Sequence, residues 1–142
     1  MRRMWVRVMG AALGVALVSA TVVRAEQGQD PAVIDKTMKA IGPAFGAARK
    51  AADGGDLAAA KAAGATLSKG FVETEAFFKS HGKADGVEWA QGAKKAADAI
   101  AAAATADAAK TAGADLGKFC QGCHTKYRDK APDGSYTYKP GN

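Results

Sequence analysis

Ala106-Asp-Ala-Ala-Lys-Thr-Ala-Gly-Ala-Asp-Leu-Gly-Lys-Phe-Cys120-Gln-Gly-Cys123-His124-Thr-Lys-Tyr127-Arg128 is the stretch that orders the rest of the chain. Ala109, Leu116, Phe119, Cys123 and Tyr127 recur at helical spacing, so a helix is expected over about 106–130, stopped by Pro132-Asp133-Gly134. On that helix Cys120 and Cys123 stand three residues apart with His124 directly after, the spacing of covalent haem attachment. Two thiols so placed can add to the two vinyl groups on one edge of a haem, and the adjacent imidazole can reach the iron. Three other uses of the pair remain open. A zinc site needs about four ligands, and the only other histidine is His81. A thioredoxin-like pair expects a βαβ setting, and no β-rich run follows the N-terminal segment. The third is a purely structural Cys-x-x-Cys.

Upstream, the same periodicity gives three more helices. Asp30 as N-cap and Pro31 in the first turn open a helix over about 31–51, carried by Ile34, Met38, Ile41 and Phe45. Asp53-Gly54-Gly55-Asp56 is a turn and a new cap. Leu57, Ala60, Gly64, Leu67, Phe71 and Phe78 continue a stripe to about Ser80, ended at His81-Gly82, where His81 is expected as a surface cap. Val87, Trp89, Ala93, Ala96 and Ile100 mark a third helix over about 84–104. The Ala/Lys/Gly runs at 57–65 and 93–112 read as helix, because alanine is the best helix former. Four such helices on short connections predict an all-α, antiparallel four-helix bundle. Its alanines bury little apolar area, so a bound haem is expected to supply part of the core.

The N-terminus carries an export pattern. Arg2, Arg3 and Arg7 precede an apolar run from Val8 to Val23, and Val23-Arg24-Ala25 ends in small residues where a signal peptidase cuts. Residues 1–25 are read as a cleaved signal, with a cut after Ala20 or an uncleaved membrane anchor as alternatives. The run is shorter than the span of about 20 residues that a bilayer needs, so no stable anchor is expected. Residues 26–130 then form the domain and 131–142 a tail, in which a turn at Asp133-Gly134 precedes a short extended piece. Four of the 20 basic residues and none of the 14 acidic ones lie in the leader, leaving 16 against 14. The basic excess is mostly leader, two haem propionates would bring the rest near neutrality, and no basic patch with interleaved aromatics suggests nucleic-acid binding.

Cys-x-x-Cys-His on the last helix of an exported, Ala-rich four-helix domain, followed by Tyr127-Arg128, resembles the class II c-type cytochromes, cytochrome c′ and its low-spin relatives. The likeness covers about residues 30–130 and includes Asp35-Lys36-Thr37-Met38-Lys39 in the first helix; the tail extends past the point where many members stop. It implies one haem c fixed at Cys120 and Cys123, His124 as axial iron ligand, and a residue of the first helix on the opposite side. Here that residue is Met38, the sole methionine outside the leader, four positions before Gly42. The resemblance thus implies a low-spin Met/His periplasmic electron carrier, with no substrate turned over, serving periplasmic redox partner proteins, and a homodimer as one assembly. An open iron that binds NO or CO, with Met38 only packing, is the alternative; for a third reading, a peroxidase, no distal acid-base pair is found. Ile34, one turn before Met38, and Trp89 are expected beside the porphyrin. Arg128, one turn beyond His124, is placed to pair with a propionate or a nearby carboxylate, with a solvated surface charge as the alternative. Pro43 after Gly42 is expected to bend the first helix.

Overall fold

The computed structural model describes residues 28–141, so the leader lies outside the described residues. Four helices follow one another, α1 (Pro31–Asp53), α2 (Leu57–Ser80), α3 (Ala84–Ala102) and α4 (Ala106–Tyr127), and a two-stranded hairpin, β1 (Arg128–Lys130) and β2 (Tyr136–Tyr138), ends the chain. Side-chain oxygens set three of the starts: Asp30 accepts from Ala32 N–H, Asp56 from Ala59 N–H and Thr105 from Ala108 N–H. Lys83, before α3, makes no such bond. Pro31 begins α1 as expected, and Pro43 sits inside α1 without ending it.

Cross-helix contacts fix the register. Thr37 on α1 bonds Glu73 on α2 at 3.0 Å; Ser68 and Glu75 on α2 meet Asp98 and Gln91 on α3; Lys126 on α4 meets Asp85 on α3, and Lys110 meets Asp53 at the far end of α1. In each pairing a later residue on one helix meets an earlier one on the other, so every neighbouring pair is antiparallel and α4 closes the ring against α1. The four-helix architecture is therefore as the sequence predicts.

The core changes character along its length. Towards the 54–56 and 103–105 loops it is small: Ala48, Ala52, Ala60, Ala97, Ala103 and Ala109 are buried with Leu67, Ile100 and Leu116. Gly64 is required there, because a Cβ would lie 2.7 Å from the Ala101 backbone nitrogen. At the other end Ile34, Phe77, Phe78 and Tyr127 are buried, with Met38, Trp89, Cys123 and Tyr138 packed on them.

Three boundaries differ from the sequence reading. α1 runs on to Asp53 rather than ending near 51. α3 ends at Ala102 rather than near 104, where Ala103 turns extended and Thr105 begins the next cap. α4 ends at Tyr127 rather than 130, and Arg128 leaves it with φ −116° and ψ 130°. Residues 128–130 pair antiparallel with 136–138, and Lys139 N–H bonds the Tyr127 carbonyl at 2.9 Å. Pro132 favours this outcome: its ring would clash with the residue 128 carbonyl of a continued helix, and the residue before a proline avoids helical angles. Gly134, at φ +86°, makes the turn.

Candidate functional site

A mainly apolar cavity of about 880 Å³ opens between the four helices and the hairpin. It is near the top of the roughly 300–1,000 Å³ range of small-molecule sites. Met38 and Ile34 line it from α1, Trp89 from α3, and Cys120, Cys123 and His124 from α4. Phe71, Phe78 and Phe119 complete its apolar walls. The site residues picked from the sequence therefore meet in one space. A smaller hollow of about 330 Å³ between α1 and α4, beside the Lys110–Asp53 pair, has no thiol, imidazole or thioether on its walls.

Why α4 presents its cysteines and histidine here follows from packing. Leu116 is fully buried in the core, so residues three, four, seven and eight positions on, Phe119, Cys120, Cys123 and His124, return to the inner face. Gly92 and Gly122 let α3 and α4 approach: a Cβ on Gly92 would run into the Phe119 ring, and one on Gly122 would lie 3.2 Å from the Trp89 indole nitrogen. Both thiols are half-buried and free. Burial pushes the Cys120 thiol up, and it pushes Cys123 up to about 12, with the charges of Cys120 and Asp85 adding to the effect. Neutral thiols in an apolar wall lack the activated thiolate of a redox-exchange pair. Among the described residues no three His, Cys, Asp or Glu gather as a metal group of their own, and a zinc site needs about four ligands.

Burial and, less, the Arg128 charge lower the proton affinity of His124, so its ring is neutral at pH 7 and keeps a lone pair for a metal. Met38 is half-buried and packs against both core clusters, its thioether lacking any competing commitment. The chemistry of this donor set fits a haem: two thiols, one neutral imidazole and one thioether on the walls of a single large apolar space. Charged and polar residues of its wall, Asp35, Lys39, Arg128 and Ser135, belong to the hairpin and the start of α1.

Arg128 is placed differently from the sequence reading. It caps α4 in an extended conformation instead of lying one helical turn beyond His124, is exposed, and holds its guanidinium 4.0 Å over the Tyr136 ring. It still lines the cavity. His81 caps α2 as expected, with Nδ1 2.9 Å from the Phe77 carbonyl and its ring 4.2 Å from that of Phe77. It is absent from the cavity lining.

Two features escaped the sequence reading. Tyr127 donates its hydroxyl to Asp85 Oδ1 at 2.6 Å, while Lys126 donates to Oδ2 at 2.6 Å and the Gly86 N–H to Oδ1 at 3.0 Å. These donors, Lys126 first and Tyr127 next, hold the Asp85 carboxyl down to about 2, and burial pushes the Tyr127 phenol up. No spacing rule links residues some forty positions apart. The hairpin was signalled, since Pro132-Asp133-Gly134 before alternating Tyr136-Thr137-Tyr138 is a turn-and-strand pattern. Its place as a wall of the cavity was not. Among the described residues no helix is long and apolar enough to cross a membrane. No match was found to a family model, a curated protein or a solved structure.

Proposed function

We propose that this chain is an exported c-type cytochrome that carries single electrons in the periplasm through one haem c, held by Cys120 and Cys123. One observation carries the reading: both thiols, His124 and Met38 line the same 880 Å³ cavity. A haem bound there supplies an iron centre that takes up and gives back one electron. The chain's own residues do the rest. Cys120 and Cys123 fix the group to α4, and His124, neutral and adjacent, ligates from that helix. Met38 ligates from α1, and a thioether ligand raises the reduction potential. Ile34, Trp89, Phe71 and Phe119 exclude water, which favours the less charged ferrous state. Arg128 stands at the polar rim, where its fork of donors suits a propionate. Its stack on Tyr136 restrains it in that position.

The gas-binding alternative draws on a different observation: Met38 is packed against both apolar clusters and would fill the core without ligating. An optical spectrum separates the two. A Met/His-ligated protein is low-spin when ferric, shows a weak sulfur-to-iron band at the red end and binds carbon monoxide slowly. A high-spin ferric protein that takes carbon monoxide readily is the gas binder. Redox partner proteins in the periplasm, and a homodimer, belong to the same proposal, as does removal of residues 1–25, for which an N-terminus near Glu26 on the purified protein is the test.

A further inference from the structure

Two hollow spaces lie along the seam between α1 and α4, and one side chain belongs to the walls of both. Phe45 lines the large cavity with Met38 and His124, and it lines the 330 Å³ hollow with Ala48, Gly113 and Gly117. No other residue is shared between the two walls. Register explains why. With Asp53 on α1 beside Lys110 on α4 at 2.9 Å, eight residues back along α1 and seven on along α4 bring Phe45 level with Gly117. A Cβ on Gly117 would lie 3.8 Å from the tip of the Phe45 ring, so the ring crosses the seam. On both helices the residues on one side of that level line the hollow, and those on the other side line the large cavity. The ring is the partition between them.

The far side of the partition is roomy. Gly113 is buried, yet a Cβ built on it would meet nothing within 4 Å, so α4 offers the hollow no side chain at 113 or 117. The three charged residues of the hollow, Arg49, Asp53 and Lys110, are exposed, and the rest of its wall is apolar. A space with water at its outer end and apolar walls within admits a small uncharged molecule and holds back an ion. Its inner end leads towards Met38, which stands seven residues before Phe45 on α1, about 10 Å away at the rise of a helix.

We infer that the hollow is a side entrance for small uncharged molecules of the size of carbon monoxide, and that Phe45 is the gate between it and the Met38 side of the large cavity. This rests on the haem reading, in either the carrier or the gas-binding form. In the carrier a closed ring shields the Met38 thioether from competitors for the iron. In the gas binder the same ring sets how fast a competitor arrives. Phe45 thus selects what reaches the site by size and polarity, without touching the thiols or His124.

The test is a double-variant cycle on carbon monoxide association, read by stopped flow in the haem-loaded, full-length Met38→Leu protein, where no thioether competes for the iron. Phe45→Ala removes the partition, and Gly113→Leu fills the hollow without altering a residue of the large cavity's wall. The expected result is a severalfold faster association in Phe45→Ala and loss of that gain when Gly113→Leu is added. Phe45→Leu, a milder truncation, serves where Phe45→Ala fails to fold. A second readout involves no iron chemistry: crystals of the wild type under xenon pressure are expected to seat xenon in the hollow against Phe45, as apolar cavities do, and crystals of Gly113→Leu to exclude it. A gain that survives Gly113→Leu overturns the inference, because the molecule then enters past the hairpin. An unchanged rate on truncating Phe45, or a hollow without xenon in the wild type, overturns it too. A wild type with attached haem that is already high-spin contradicts the carrier reading and leaves the cycle to decide this one. A wild type that carries no attached haem overturns both together.

Discussion

The two ends of the bundle solve the packing problem in opposite ways. At the end near the 54–56 and 103–105 loops the interior is built of alanine, and the helices come so close that Gly64 cannot carry a Cβ without meeting the backbone of α3. At the other end Phe78, Trp89, Phe119 and Tyr127 stand around a cavity of about 880 Å³. Close-packed interiors ordinarily tolerate few voids larger than a water molecule. An end that closes on alanine shows that this sequence can shut a core with small side chains. The large side chains at the other end hold a space open, and Cys120, Cys123, His124 and Met38 line that space.

Breaking the open end at its thiols carries the largest effect. Replacing Cys120 and Cys123 together by alanine is predicted to abolish covalent haem retention, so that acid-acetone extraction removes all pigment; either single change is predicted to weaken retention. Pigment that stays with the double variant sinks the assignment of these thiols. Next comes the α1 wall. Met38→Leu keeps the packing volume but removes the thioether, and is predicted to turn the ferric iron high-spin, speed carbon monoxide binding and lower the potential by on the order of 0.1 V, within the roughly 0.8 V that axial ligands span. An unchanged spectrum would reduce Met38 to packing.

The closed end is tested by a pair of glycines. Gly64→Ala forces α2 and α3 apart and is predicted to destabilise the protein by about 1–3 kcal/mol, as overpacking does. Gly46→Ala, exposed on α1 with open space around the added methyl, is predicted to stabilise by about 0.5–1 kcal/mol through helix propensity alone. Denaturant midpoints compare the two, and equal effects would deny the close approach at Gly64.

The smallest effect concerns Asp85, at the open end. Its carboxyl is held down to about 2 by Lys126 and Tyr127 against an ordinary value of 3.8. A lowered carboxylate stabilises the fold above its unfolded value and loses that contribution as pH falls through the folded one, so the share from Asp85 is present above about pH 4 and fades between about 4 and 2. Asp85→Asn is predicted to lower the melting temperature modestly at pH 7 and to flatten its fall across that window. A variant whose acid profile overlays the wild type would show that the Lys126–Asp85–Tyr127 contact adds nothing.

Much of this was legible in the chain because the signals were local. Asp30-Pro31, Asp56 and the 3.6-residue stripes carry the information for helix starts and faces, and the structure follows them. Cys120, Cys123, His124, Ile34, Trp89 and Met38 were singled out from sequence and all line one cavity. The end of α4 was misplaced because the helical stripe runs through Tyr127, while what stops it is pairing with a strand eight to ten residues later and a proline whose restriction acts backwards on the chain. Arg128 was set on the wrong element for the same reason. Tyr138 and the Asp85 contacts could not be seen in sequence, since each depends on residues brought together across the fold, Phe77 with Tyr138 and Asp85 with Tyr127.

The central claim, that the open end holds a haem bonded to the chain, is tested most directly by the intact mass of the purified protein after acid-acetone extraction. The account predicts a polypeptide heavier than its sequence by one haem, still coloured. A colourless chain of bare sequence mass from a haem-replete host would contradict it.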